Sequence, residues 1–230
     1  MIEVKNLCQT FELGKKQNKM KLDVLKDVSF QMNKGDILAV TGRSGSGKST
    51  LLNLIGGLMK PTSGEIMINQ TNVTNFSEGD FATFRLDNIG FIFQNFQLIP
   101  SMTAYENVEL PLVLKGVAEN KRASIVLTTL NRVGLEAYKD HYPSELSGGQ
   151  QQRISIARAL VIEPPIILAD EPTGSLDSET EQEILSIIQQ LNKESNITFI
   201  IITHDDAVAK IGNKHIHLHD GKLVKEEVAI

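Results

Sequence analysis

Ile37-Leu38-Ala39-Val40 is a short apolar run, and the octapeptide that follows Thr41 reads Gly42-Arg43-Ser44-Gly45-Ser46-Gly47-Lys48-Ser49. It fits G-x-x-x-x-G-K-[ST] at every fixed position. Helical spacing then runs from Ser49 to Leu58. A buried strand, a glycine-rich turn and a helix in direct succession make a phosphate cradle. The glycines let the backbone curl so that successive N–H groups point inward at anionic oxygens. The start of the helix adds its positive end. Lys48 supplies a cation for the β- and γ-phosphates, and the Ser49 hydroxyl is a hard oxygen donor of the kind Mg²⁺ takes. Residues Gly42 through Ser49, with Thr50 on the same turn, are therefore the expected binding residues for ATP and Mg²⁺.

A second apolar run, Ile166-Ile167-Leu168-Ala169, ends in Asp170-Glu171. In an open α/β sheet, ligands sit at the carboxyl ends of the strands. Asp170 is then expected near the Mg²⁺, through a bound water, with Glu171 one residue further on to orient or deprotonate an attacking water. A solvated acidic turn is the alternative for this pair taken alone; beside a phosphate loop, the positioning role is the stronger reading.

Composition narrows the class. The apolar share of 41% in 230 residues is that of an ordinary globular domain with a sizeable core. The formal net charge of −5 argues against a general nucleic-acid binder. Cys8 is the single cysteine, so no intrachain disulfide can form. No apolar run approaches the length that spans a bilayer, and Met1-Ile2-Glu3-Val4-Lys5 does not look like a signal peptide. Any membrane role is expected to come through a partner.

The alternation from Asp23 to Met32 suits a sheet with one wet face, and Glu65 to Asn69 continues that strand-rich region. From about Tyr105 to Leu160 the pattern is mainly helical, with Pro111 and Pro143 expected to interrupt it. Glu179 to Asn192 reads as a helix and Ile197 to Thr203 as a third buried strand, followed by Lys214 to Leu218 and Lys222 to Val224. The expected fold class is α/β. It has a P-loop NTPase core with a mostly parallel sheet, an N-terminal antiparallel β subdomain and an inserted α-helical subdomain. The boundaries place the core at about 1–94 and 161–230 and the helical insertion at about 95–160, all within one domain. The histidines His215, His217 and His219 alternate like a metal-binding tract but are read as exposed strand residues.

Leu146-Ser147-Gly148-Gly149-Gln150 opens a strong helical stretch. Adjacent glycines, a hydroxyl and a helix start could make a second phosphate-facing surface; equally, Ser147 could simply cap its helix. Here the sequence resembles the nucleotide-binding subunits of ABC transporters, whose signature motif is LSGGQ, and the match runs in order along nearly the whole chain. Phe11 resembles the aromatic that stacks on adenine, Gly42 to Ser49 the Walker A loop and Gln94 the Q-loop glutamine. Ser147 to Gln150 resembles the signature core, and Ile166 to Glu171 Walker B with the general base. Ser175-Leu176-Asp177 resembles the D-loop and His204 the switch histidine. Singly, Phe11 reads as core, Gln94 as a surface amide and His204 as a strand-end histidine; their linear order gives them the family roles.

The resemblance implies an ATPase that works as an ATP-dependent head-to-tail homodimer. Each nucleotide would lie between Walker A of one subunit and the signature of the other. Ser147 and Gly149 would contact the γ-phosphate across the interface, Asp177 the partner subunit, and His204 the γ-phosphate. Gln94, with Ser49 and Asp170, would serve the Mg²⁺ and link the site to an integral membrane permease. The basic insertion Lys15 to Lys21, the apolar stretch Leu98 to Leu112 and the phrase ILADEPTGSLDS look like the macrolide-export, lipoprotein-release and cell-division branch. That branch implies a peripheral ATPase on the cytoplasmic face of the membrane, coupled to export or extraction of a lipophilic, peptide or antibiotic substrate. The alternatives are an ATPase that drives a permease-like regulator of cell-wall enzymes, and a soluble ABC-type ATPase.

Overall fold

The computed structural model describes residues 1–14 and 20–228. The expected basic insertion Lys15 to Lys21 therefore falls mostly outside the described residues. In chain order the elements are β1 (Ile2–Leu13), β2 (Met20–Met32), β3 (Ile37–Thr41), α1 (Lys48–Ile55), β4 (Ser63–Ile68), β5 (Thr71–Asn72), α2 (Glu78–Asn88) and β6 (Ile89–Phe93). They continue with α3 (Ala104–Leu114), α4 (Glu119–Arg132), α5 (Gly148–Leu160), β7 (Ile166–Asp170), α6 (Ser178–Ser195), β8 (Thr198–Ile202), α7 (Asp206–Lys210), β9 (Lys214–His219) and β10 (Lys222–Val228). The chain divides into two compact units, one of Met1–Thr83 with Ile200–Ile230, the other of Phe84–Phe199. The α/β class holds, with an antiparallel N-terminal sheet, parallel strands at the core and a helix-rich middle.

In the first unit, β1, β2, β4 and β5 form an antiparallel sheet in the order β2-β1-β4-β5. Ile2, Val4 and Leu7 of β1 and Leu25, Val28, Phe30 and Met32 of β2 are buried, and in both strands the strict alternation slips once. The cause is local. Asn6 and Asp27 both take positive φ (47° and 58°), the Asn6 Nδ2 donates to Asp27 Oδ1 at 2.7 Å, and the pairing register shifts between Val4 and Leu7. Asn and Asp tolerate this left-handed conformation better than other side chains, and a bulge there re-aims the strand. β3 runs parallel to β9, which pairs antiparallel with β10. The end of β8 lies on the other side of β3.

The second unit holds the start of β8, then β7 and β6, with β6 and β7 parallel and in register from Ile89↔Ile166 to Phe93↔Asp170. Helices α3, α4 and α5 pack together beside β6. Pro111 does not interrupt this region: it lies inside α3, and Lys115 N–H still reaches the Pro111 carbonyl at 3.0 Å. The helix loses one donor yet keeps the buried pair Val108 and Leu112, and it ends instead before Gly116 at φ 73°. Pro143 does mark a break, opening a short 3₁₀ turn from Pro143 to Glu145. Helix α1 stops at Ile55, three residues before Leu58: Gly56 and Gly57 follow, and the Phe81 ring occupies the space a Gly57 Cβ would need.

Gly90 is the second residue of β6, and α5 comes very close there. A Cβ on Gly90 would lie 2.6 Å from the Ala159 carbonyl oxygen. Gly90→Val should destabilise the chain by about 1–3 kcal/mol through overpacking, read as a lower urea midpoint at unchanged slope.

Candidate functional site

The first unit carries the phosphate cradle. β3 delivers the chain to Gly42, whose φ of 146° and crowded surroundings require glycine: a Cβ there would run into the Leu218 carbonyl and lie 2.7 Å from Ser46 Oγ. Ser46 N–H closes the turn onto the Arg43 carbonyl at 3.2 Å. The Lys48 side chain is only 8% exposed and folds back over its own loop, Nζ donating to the Gly42 carbonyl at 2.8 Å and to the Arg43 carbonyl at 3.1 Å. The ammonium is thus fixed beneath a rim of exposed Arg43, Ser44 and Gly45. Gly47, at φ 101°, precedes α1 and leaves it without a side-chain cap. Among the described helices of eight residues or more, α1 alone has neither a side-chain cap nor an acidic residue in its first turn. Its positive end is left for an external anion.

The Ser46 Oγ adds a buried hydroxyl without a partner inside the same loop. An orphaned donor, a fixed cation and an uncapped helix start together fit a polyphosphate. Ser49, exposed at the second helical position, and Thr50, half-buried, follow at the mouth. The Ser49 hydroxyl is a hard oxygen donor of the kind that suits Mg²⁺.

His204 is exposed just after β8 in the same unit. Its neighbours pin it: Thr203 N–H donates to the Val40 carbonyl at 3.1 Å, Asp205 N–H donates to Thr203 Oγ1 at 2.9 Å, and Asp205 caps α7 through Ala207 N–H at 2.6 Å. Phe11 is half-buried on β1 opposite Leu22, so it is neither core nor fully open. His215 and His217 are half-buried rather than exposed, and His217 Nδ1 lies 3.0 Å from Thr41 Oγ1; only His219 is exposed.

The second unit carries Gln94, Glu171 and the signature residues. The register Phe93↔Asp170 brings Gln94 and Glu171 to the same edge, one residue beyond their strands. Gly174 shows how close they come. A Cβ there would lie 2.9 Å from Gln94 Nε2 and 3.2 Å from Glu171 Oε2. The amide and the carboxylate therefore face one small space that only glycine leaves open. Ser175 Oγ donates to the Gln94 carbonyl at 3.1 Å and ties the two loops. Glu171 itself adopts a φ of 47°, unusual for this residue type.

After Gln94 the chain turns through Phe96 and Gln97, also at positive φ (56° and 48°). Arg158 of α5 holds this turn, Nη1 donating to the Gln97 carbonyl at 2.6 Å and Nη2 to the Phe96 carbonyl at 2.9 Å. Burial lowers the guanidinium pKa from its ordinary value, and the two carbonyls receive the charge. Buried Asn107 organises the next loop, accepting from Ile99 N–H and donating to the carbonyls of Ile99, Met102 and Thr103.

The signature residues start α5. Ser147 is exposed and caps the helix: its Oγ accepts from Gln150 N–H at 3.3 Å, and Gln150 Oε1 accepts from Ser147 N–H at 2.9 Å. Gly148 is exposed with ordinary space around it, whereas a Cβ on Gly149 would strike the Thr180 methyl, so Gly149 also serves the close approach of α5 to α6. Asp177 is exposed and caps α6 through Thr180 N–H at 2.9 Å and the Thr180 hydroxyl at 2.8 Å. Those bonds hold its carboxyl below the usual range.

The sequence reading named no role for Gly174, Arg158, Asn107 or Gln152, a buried residue of α5 that donates to the Pro172 carbonyl. The glycine two residues beyond Pro172 in DEPTG was the one local signal for a close approach.

Among the described residues no helix is long and apolar enough to cross a membrane. A model of the ABC transporter family matches residues 25–174. The ABC transporter ATP-binding protein YtrE of Bacillus subtilis is 61% identical over 97% of this chain and 96% of its own length. The uncharacterised ABC transporter ATP-binding protein MJ0796 of Methanocaldococcus jannaschii is 44% identical over 99% of this chain and 97% of its own. The solved dimer of that cassette bound to ADP and Pi superposes with a TM-score of 0.91 at 42% identity, covering 100% of this chain and 99% of that one. The macrolide export ATP-binding/permease protein MacB of Salmonella typhimurium is 43% identical over 97% of this chain but only 34% of MacB. The phosphate cradle, the signature helix start and these likenesses over the full length lead to one conclusion: the chain belongs to the ABC transporter family, as one of its ATP-hydrolysing cassettes.

Proposed function

We propose that this cassette hydrolyses ATP at a site completed by a second copy of the chain and thereby drives a separate membrane permease. The observation that carries the reading is the complementary state of two helix starts. α1 is uncapped above a fixed cation, and α5 presents exposed Ser147 and Gly148 to solvent. In a head-to-tail pair, the signature of one copy covers the phosphates held by the other. That the solved MJ0796 cassette bound to ADP and Pi is a dimer supports the pairing of two copies.

In this reading Lys48 and the loop N–H groups hold the β- and γ-phosphates, and His204 donates to the γ-phosphate. Phe11 lies against the adenine. Ser49, Gln94 and Asp170 would hold Mg²⁺, which would neutralise charge on the phosphate oxygens. Gln94 and Glu171 share the space beside Gly174, where Glu171 orients the attacking water and accepts its proton. Ser147, Gly149 and Gln150 act across the interface, and Asp177 touches the partner copy. For Ser147 this requires sharing the hydroxyl between Gln150 N–H and the γ-phosphate, which a hydroxyl can do as acceptor and donor at once.

A membrane permease as partner is supported by MacB, whose name joins ATP-binding and permease and of which this chain matches 34%. Its docking surface lies on Phe96 to Leu114, where Leu98 and Ile99 are half-buried and Val113 and Leu114 are 43% and 63% exposed. Arg158 ties the start of that surface to the signature helix. The reading places the cassette on the cytoplasmic face and its cargo among lipophilic, peptide or antibiotic compounds.

Glu171→Gln should keep ATP affinity, lower turnover by about 10²–10⁴-fold, and accumulate an ATP-bound dimer in gel filtration. Lys48→Ala should weaken ATP binding itself, measured with a fluorescent analogue. Full turnover in the Glu171 variant would remove it from the water-handling role. Leu98→Asp should leave nucleotide binding and basal ATPase intact while abolishing stimulation by the reconstituted permease; undiminished stimulation would move the docking surface elsewhere.

A further inference from the structure

Glu171 stands in a conformation its own residue type disfavours. Its φ of 47° is in the left-handed region, and the next residue, Pro172, further restricts the backbone before it. Such a geometry persists only where the surroundings over-determine it. Two hydrogen bonds do so. Gly174 N–H closes a turn onto the Glu171 carbonyl at 3.1 Å. Gln152 Nε2 reaches from α5 to the Pro172 carbonyl at 2.6 Å. Proline has no N–H, so the carbonyl is the only polar handle this residue offers.

Gln152 is fully buried, and so is Ser155 one turn further along the helix. The Gln152 Oε1 and the Ser155 Oγ have no hydrogen-bond partner. An amide is costly to bury in this state. Its orientation is nonetheless fixed: turning the amide over would set its oxygen against the Pro172 carbonyl. The glutamine thus spends its one good bond on the residue next to Glu171. It lies five residues after Ser147, on the same helix whose start carries the signature.

We infer that Gln152 is a positioning residue for Glu171: it transmits the placement of the chain's own signature helix to the backbone that aims its own water-orienting carboxylate. The inference rests on the assignment of Glu171 proposed above. A shift of α5 along its axis, as when Ser147 engages a phosphate, would act on the Pro172 carbonyl and so on the aim of Glu171. Gln152 touches neither nucleotide nor water in this account, so its loss should appear in kcat alone.

The test is Gln152→Met in the full-length chain, which keeps the length of the side chain and removes the donor. Gln152→Asn, which retracts the donor by one methylene, is the second variant should the first fail to fold by circular dichroism. Steady-state kcat should fall about ten- to a hundredfold, with KM for ATP and the affinity for a non-hydrolysable ATP analogue unchanged within about twofold. In a Glu171→Gln background, followed by single-turnover hydrolysis, the same substitution should cost less than about twofold, because the group it positions is already gone. An equal loss in both backgrounds would reduce Gln152 to a packing role. Unchanged kcat, or a rise in KM that matches the loss, would overturn the inference outright. Normal turnover in Glu171→Gln alone would instead refute the water-orienting role of Glu171, a separate failure.

Discussion

An unpaired helix start is the constraint on which the rest of this protein depends. α1 begins with a left-handed glycine, no capping side chain and no acid in its first turn, above an ammonium clamped by two carbonyls of its own loop. Left alone, that arrangement concentrates positive potential with nothing to balance it. A polyphosphate supplies the missing charge and the missing acceptors together. In the second unit three helix starts are closed by side chains, Thr103 with Glu106, Ser147 with Gln150 and Asp177 with Thr180, while α4 has no side-chain cap but carries Glu119 in its first turn. Among the described helices of eight residues or more, α1 alone starts with neither a side-chain cap nor an acid.

The second unit solves a different problem, how to bring an amide and a carboxylate to one point without a rigid covalent link. Parallel register places Gln94 and Glu171 side by side, and Gly174 clears the space between them. The two backbone turns involved are both left-handed, and both are held by polar side chains of α5: Arg158 on the carbonyls of Phe96 and Gln97, Gln152 on that of Pro172. The helix that displays the signature therefore grips both loops. Movement of that helix would act on both loops at once.

How much of this the sequence disclosed depends on whether a feature is local. The octapeptide from Gly42 to Ser49 is contiguous and its mechanism is backbone geometry, so residue types and order were enough. The carboxylates at the end of β7 were legible because an apolar run ending in acids, beside a phosphate loop, favours a positioning role over a solvated turn. The buried contacts of Arg158 and Gln152 were not, since each bonds to a carbonyl tens of residues away, 61 residues for Gln97 and 20 for Pro172. Glutamine and arginine on a helix otherwise read as solvated. The break in β1 was hidden for the same reason: Asn6 bulges because Asp27 faces it across the strand pair. Pro111 misled in the opposite direction, as packing around Val108 and Leu112 carries α3 past it.

The central claim is that one nucleotide is completed by two chains. Its most direct measurement is ATPase activity per chain, at saturating Mg-ATP, across a dilution series whose association state is followed by sedimentation. A shared site requires specific activity to rise with chain concentration in step with the dimer fraction. Constant specific activity down to concentrations where only monomer sediments would contradict it.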